Sequence, residues 1–244
     1  MCKTVLITGS SRGIGAAAAR LFAKEGYNVV INYNSSSEKA LSLAHELSKT
    51  NKNVIAIKAN ISVQQEVKEM FVTIKKTFGN VDILVNNAGI SKTGVITDFS
   101  EDDWDNMFGV NVKGAFFCIN EAIPMMLSVG KGKIINISSM WGVSGASCEV
   151  CYSSTKAAII GLTKALAKEL GPSNINVNCI APGVIQTEMN KALSEEDMNI
   201  LKDETPLMRL GTPEDVAKGI LFLSQYASDF ITGQVLGIDG GFIV

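Results

Sequence analysis

The 244-residue chain is 46% hydrophobic and 19% charged, the balance of a soluble globular protein with room for one large α/β domain or two small ones. Its 22 basic and 24 acidic residues, a formal net charge of -2, leave no electrostatic footprint for nucleic acid or an anionic membrane. Five cysteines, an odd number, argue against a secreted disulfide framework, and a single histidine, His45, makes zinc a poor fit, so no metal is expected.

Met1-Cys2-Lys3 passes straight into a strand-like run at 4–8, without a signal-type apolar region. No uninterrupted apolar stretch of bilayer-spanning length follows, so a cytoplasmic protein without a membrane partner is expected. Gly9-Ser-Ser-Arg-Gly13-Ile-Gly15 then opens into a good helix former at 16–24. Strand, glycine loop and helix start in succession make a phosphate site, in which Gly9, Ser11, Arg12, Gly13, Ile14 and Gly15 offer close backbone approach and free N–H groups. The spacing is Gly-x-x-x-Gly-x-Gly rather than the commoner Gly-x-Gly-x-x-Gly.

A second strand at 27–32 ends in Asn32-Tyr-Asn-Ser35, without the acidic residue that meets a ribose 2′-hydroxyl in NAD-specific folds. Arg12 supplies a cation near the same ribose. The expected cofactor is therefore NADPH (NADP+), with Asn32 and Ser35 as neutral phosphate donors; the alternative is a merely solvated Arg12. Residues 36–50 are predicted as a helix, 54–59 as a strand, 63–78 as an amphipathic helix and 81–85 as a buried strand. The last of these ends in Asn86-Asn87-Ala88-Gly89. Strands alternating with helices of this length imply right-handed crossovers and a parallel sheet, and the small residues at 87–89 lie at a carboxyl edge where such sheets bind ligands.

One long helix is expected over 102–129, with Asn111 set among apolar neighbours, either as a structural hydrogen-bonder or holding a water beside Lys156. The strand at 133–139 delivers the hydroxyl of Ser139. A loop containing Cys148-Glu-Val-Cys151 leads to Tyr152-Ser-Ser-Thr-Lys156 and an apolar helical run at 157–170. The CxxC spacing admits a redox pair, but outside a thioredoxin-like context reduced pocket-wall thiols are the simpler expectation. Residues four apart share a helix face, so Tyr152 and Lys156 can meet in one small volume. A neighbouring ammonium is expected to lower the phenol's pKa and make Tyr152 a general acid, with Ser139 bonding the same substrate oxygen.

A strand at 175–180 runs into Ala181-Pro182-Gly183. Residues 184–210 scatter Met189, Leu193, Met198, Leu207 and Met208 among charges, as in a mobile substrate lid or as core residues of short helices. Thr212-Pro213 starts a capped helix, and 234–238 is the last strand.

Together, Thr8 to Gly15, Asn86-Asn-Ala-Gly89, Asn111, Ser139, Tyr152-x-x-x-Lys156, Pro182-Gly183 and Thr187 resemble the classical short-chain dehydrogenase/reductase family in order and spacing, over essentially the whole chain. The resemblance implies a Rossmann-like, doubly wound sheet of seven parallel strands in a three-layer αβα arrangement. It implies a single domain, 1–244, with a cofactor half at about 1–90, a catalytic and substrate half at about 91–244, and the lid at about 184–210. It implies an NAD(P)-dependent oxidoreductase whose catalytic set is Asn111, Ser139, Tyr152 and Lys156. Tyr152 and Lys156 would also hold the nicotinamide ribose, while Pro182, Gly183, Ile185 and Thr187 would face the cofactor's amide and pyrophosphate. Asn60-Ile61 stands where many relatives have Asp followed by Val or Ile, and Asn60 is expected to receive adenine through its side-chain carbonyl. A homotetramer built on the Asn111 and Tyr152 helices is implied as well, with small Ala157, Ala158 and Gly161 permitting close packing.

Within the family the chain is similar to bacterial 3-oxoacyl-acyl-carrier-protein reductases of fatty acid synthesis, through the glycine loop, Arg12 and the Gly233 to Gly241 ending. That likeness implies an acyl carrier protein as possible partner and a basic docking surface at the pocket mouth, for which Lys131 and Lys133 are the candidates. The stretch from Met140 to Val150 and the Gly241-Phe-Ile-Val244 terminus instead resemble reductases of the 5-aminopentanone modification on elongation factor P. On that alternative Glu149 pairs with a cationic amino-ketone rather than being a solvated loop carboxylate, and Trp141 either walls the pocket or packs on the sheet. A general ketone/alcohol oxidoreductase is the remaining alternative.

Overall fold

In the computed structural model, whose described residues are 2–188 and 194–243, seven parallel strands form one sheet in the order β3-β2-β1-β4-β5-β6-β7. The strands are β1 Thr4–Ile7, β2 Asn28–Tyr33, β3 Val54–Lys58, β4 Ile83–Asn86, β5 Gly132–Ile137, β6 Ile175–Pro182 and β7 Val235–Ile238. Alternation along each strand sends side chains to two separate cores. Val5 and Ile7 of β1 face one side with Val29, Ile31, Ile83 and Val85, where α1 (Gly13–Lys24), α2 (Ser37–Ser48) and α9 (Pro213–Ser224) cover them. Leu6 points the other way with Val30, Leu84, Ile134 and Val177, beneath α3 (Gln64–Phe78), α5 (Gly114–Val129) and α7 (Val150–Leu170). Burial on both faces explains why the strands are continuous Val/Ile/Leu runs.

The sheet reverses its winding between β1 and β4, which pair directly through Val5–Ile83, Leu6–Leu84 and Ile7–Val85. Their carboxyl ends therefore open a crevice at the switch point. The 102–129 helix is broken: α4 (Glu101–Phe108) and α5 are joined by one π turn, Gly109–Lys113. By length and composition the whole run Glu101–Val129 is long and apolar enough to cross a membrane, which qualifies the expectation that no stretch reaches that size. Here Cys118, Ile119, Ala122 and Met126 of the run pack into the second core. The Tyr152 helix begins earlier than 157, at Val150, after a short α6 (Met140–Ser144). In the proposed lid, α8 (Glu195–Asp203) is held at its start by a Ser194/Asp197 capping box and buries none of its residues. Met189 and Leu193 lie outside the described residues, as do 190–192 of the lid.

Candidate active site

Thr8 is the hub that joins the two loops at the switch point. Its Oγ1 accepts from the backbone N–H of Asn87 and of Ala88, each at 3.0 Å, and Asn87 Nδ2 donates to the carbonyls of Thr8 (2.9 Å) and Gly9 (3.1 Å). The loops touch so closely that a Cβ on Gly9 would sit 2.8 Å from Ala88 Cα, and one on Gly15 2.7 Å from Asn87 Nδ2. Gly13 differs, because a Cβ there would meet only Thr187, at 3.5 Å. Two of the loop's glycines thus serve loop-on-loop packing. The N-cap of α1, Arg12, makes no side-chain cap bond, so the first N–H groups of the helix face the crevice without a side-chain acceptor.

At the outer end of the crevice two expectations are revised. Asn32 is buried, its Oδ1 accepting from Gly9 N–H (3.2 Å) and its Nδ2 donating to Ala59 carbonyl (3.0 Å). It braces the glycine loop and is not a free phosphate donor; Ser35, by contrast, is exposed. Asn60 Oδ1 already accepts from the N–H (3.1 Å) and the hydroxyl (2.8 Å) of Ser62, so its carbonyl is engaged by its own loop and not held open as the expected acceptor. Ile61 is buried against Gly114, where a Cβ would lie 2.6 Å from Ile61 Cδ1.

The Tyr152 side of the crevice is assembled from β5, α6 and α7. Ser139, at the end of β5, caps α6 by accepting from Trp141 N–H (3.2 Å). Ser138 Oγ donates to the Lys156 carbonyl (2.8 Å), and a Cβ on Gly142 would lie 2.7 Å from Lys156 backbone, so α6 and α7 lock together at the height of the lysine. Lys156 is buried, its Nζ donating to Ile137 carbonyl (3.0 Å) and lying 5.5 Å from the Tyr152 ring centroid. Burial lowers the ammonium to about 8.

Tyr152 moves opposite to expectation. Desolvation pushes its phenol up to about 12, a hydrogen bond with Ser139 pulls it partly back, and the Glu149 carboxylate raises it further. The physical reason is placement: Lys156 sits over the ring and is bonded to Ile137, leaving burial to decide. The consequence suits proton donation, because the phenol stays protonated at neutral pH.

Asn111, inside the π turn, closes the site from behind. Its Oδ1 accepts from Ile90 N–H (2.8 Å), and its Nδ2 donates to Ile90 carbonyl (2.9 Å) and to Thr155 Oγ1 (3.0 Å). These are bonds of a structural hydrogen-bonder. It ties the turn after β4 to α7, with a Cβ at Gly89 lying 3.4 Å from Asn111 Oδ1 and 3.3 Å from Lys156 Nζ. Thr155, which lies inside the Tyr152–Lys156 motif but has no role assigned from the sequence, is the partner that makes this clamp; a hydroxyl beside the lysine on the same helix is the only sign of it.

After β6, Gly183 N–H bonds Ile238 carbonyl (3.0 Å), Ile185 bridges Gly211, and Thr187 returns to the glycine loop beside Gly13. Lys133 does not reach the pocket mouth. It is buried at the amino end of β5, paired with Asp229 at 2.6 Å, while Ser139 follows the carboxyl end, so Lys131 and Lys133 lie roughly 20 Å away along the strand. Cys148 and Cys151 are free thiols, half-buried and buried. Trp141 meets Phe242 edge-on, with centroids 5.7 Å apart.

The chain is similar to known proteins over nearly its whole length. The model of a family described as enoyl-(acyl carrier protein) reductase matches residues 9–243. The 3-oxoacyl-[acyl-carrier-protein] reductase FabG of Staphylococcus epidermidis is 42% identical over 241 residues, covering 99% of both chains. Among solved structures, ElxO with NADP bound superposes with a TM-score of 0.92 at 40% identity, covering 99% of each chain. A short-chain dehydrogenase/reductase from Brucella melitensis, titled glucose/ribitol dehydrogenase, gives 0.93 at 32%, covering 99% of this chain and 97% of that one. With the seven-stranded parallel sheet and a family match across nearly its whole length, this chain belongs to the short-chain dehydrogenase/reductase family.

Proposed function

We propose that the chain is an NADPH-dependent reductase of 3-oxoacyl groups carried on acyl carrier protein. The observation that carries the reading is Ser139, Tyr152 and Lys156 gathered beside an uncapped helix start at the carboxyl edge of the sheet. The names of the similar reductases narrow the substrate, and the NADP of the similar structure narrows the cofactor. The residues fit that cofactor: Ser11, Arg12, Gly13, Ile14 and Gly15 for the pyrophosphate, Arg12 and Ser35 for the 2′-phosphate, and Asn60 and Ile61 for adenine. Asn87, Ala88, Gly89, Tyr152 and Lys156 serve the nicotinamide ribose, and Pro182, Gly183, Ile185 and Thr187 the carboxamide end.

Bound there, NADPH supplies the hydride that reduces the ketone carbon. Tyr152, kept as a phenol by its burial, gives a proton to the ketone oxygen, and Ser139 donates a second hydrogen bond to that oxygen. Lys156 places positive charge beneath the phenolate left behind. Asn111 acts as a positioning residue through Ile90 and Thr155. The exposed α8 then serves as a lid over the acyl chain, and the protein works as a homotetramer through α5 and α7, whose outer faces carry exposed Phe116, Leu127 and Val150.

The test is NADPH oxidation by acetoacetyl-acyl carrier protein against a free small acetoacetyl thioester. The expected result is a kcat/KM at least about tenfold higher for the carrier-linked form, because docking energy is used at the transition state. Equal values overturn the carrier substrate. They would favour a second reading carried by Glu149: its Oε1 accepts from Thr93 Oγ1 (2.9 Å), while its buried Oε2 has no partner among the described residues. A buried carboxylate oxygen without a donor beside Tyr152 suits a ketone bearing an ammonium group, as in the 5-aminopentanone modification of elongation factor P.

A further inference from the structure

Glu188 spans two cations that lie far apart in the sequence. Its carboxylate oxygens are 2.6 and 2.8 Å from Lys39 Nζ, in the first turn of α2, and Oε2 is 3.8 Å from Arg12 Nε. Arg12 also donates to Ser36 Oγ at 3.3 Å. Glu188 follows Thr187, the residue packed beside Gly13, so its carboxylate is held at the outer rim of the glycine loop. The side chains of Arg12, Lys39 and Glu188 are 55%, 48% and 37% exposed, and ion pairs this open stabilise a fold only slightly. Two anionic oxygens between a guanidinium and an ammonium reproduce the charge pattern that one face of a phosphate monoester would offer.

We propose that Glu188 holds Arg12 and Lys39 as a stand-in for phosphate, that the 2′-phosphate of the cofactor displaces it, and that Lys39 is thereby a second phosphate-binding residue. The proposal rests on the NADPH reading above. A phosphate monoester carries about -1.5 to -2 charge at neutral pH and three acceptor oxygens, against one charge on the carboxylate, so the exchange favours the phosphorylated ligand. A nucleotide without the 2′-phosphate has nothing to offer the two cations and leaves Glu188 in place. Selectivity then comes from Arg12 and Lys39, and Glu188 tempers it: by competing for the two cations it weakens 2′-phosphorylated ligands and does not affect the others.

The experiment is calorimetric titration of the full chain with 2′,5′-ADP and with 5′-AMP, for wild type, Glu188→Gln and Lys39→Gln. Both substituted positions are surface sites, and thermal melts check that each variant is folded. The expected results are that Glu188→Gln binds 2′,5′-ADP about fivefold more tightly and Lys39→Gln about fivefold more weakly, with 5′-AMP affinity unchanged in both. Equal shifts for both nucleotides, or no shift in either variant, overturn the exchange while leaving the NADPH reading intact. A wild type that binds 2′,5′-ADP no better than 5′-AMP overturns the NADPH reading and the exchange with it.

Discussion

Burial acts in opposite senses on the two groups of the Tyr152–Lys156 pair, raising the phenol to about 12 and lowering the ammonium to about 8. Both shifts favour the neutral form, as desolvation must. For the lysine this has a consequence in the cofactor-free chain. An unfolded Lys156, at its ordinary 10.5, keeps a proton across pH 8 to 10.5 that the folded chain has released. The unfolded state binds more protons in that window, so this residue's contribution to stability rises with pH there, and the charged buried form is a cost below it. Denaturant titrations of wild type and Lys156→Met at pH 8 and 10.5 should differ in their pH dependence by on the order of 3 kcal/mol, with wild type gaining. Identical pH dependence would show that the ammonium is solvated. Residue types at this site were legible from the sequence because chemistry restricts them. Their environments were not: nothing in Asn32 or Lys133 as letters says that one is spent on Gly9 and Ala59 and the other on Asp229.

The π turn Gly109–Lys113 is the element that departs most from a pattern reading. An extra residue in one helical turn leaves the apolar periodicity on either side intact, so the run 102–129 looked unbroken, yet it rotates Asn111 to face Ile90 and Thr155. Removing the amide strands both polar groups of Ile90 in a part-buried place. Asn111→Ala should therefore lower stability by about 1–3 kcal/mol in chemical denaturation and weaken NADPH binding, whereas Asn111→Asp, which keeps the acceptor for Ile90 N–H, should recover part of the stability. Loss of binding with unchanged stability would place Asn111 in direct contact with ligand instead. The strand-loop-helix opening was legible because glycine spacing is a local signal, except that the helix starts at Gly13, three residues earlier than expected. Which glycines face a ligand and which face Ala88 and Asn87 depends on a loop nearly eighty residues away, and only the fold brings the two together.

At the level of the whole molecule, alternating strands and helices of ordinary length were enough to anticipate a parallel sheet, its doubly wound seven-stranded form being what the family resemblance implied, and the order β3-β2-β1-β4-β5-β6-β7 puts every expected site segment except Lys131 and Lys133 along one edge. The surface was harder to anticipate, because an apolar helix face has the same period whether it meets a sheet or a second chain. Phe116 is 45% exposed and Leu127 48% on α5, opposite the residues that α5 buries. If these faces join subunits, Phe116→Asp should convert the assembly to smaller species by light scattering, and an unchanged mass would remove α5 from the interface. The central claim, however, is that Tyr152 gives the proton for ketone reduction in a site that holds NADPH without it. The measurement that tests this most directly is single-turnover oxidation of bound NADPH by an acetoacetyl thioester in wild type and Tyr152→Phe, with NADPH affinity determined on the same samples. The account predicts a rate lower by about 10²–10⁴-fold with affinity within about twofold, and a Tyr152→Phe rate close to wild type would contradict it.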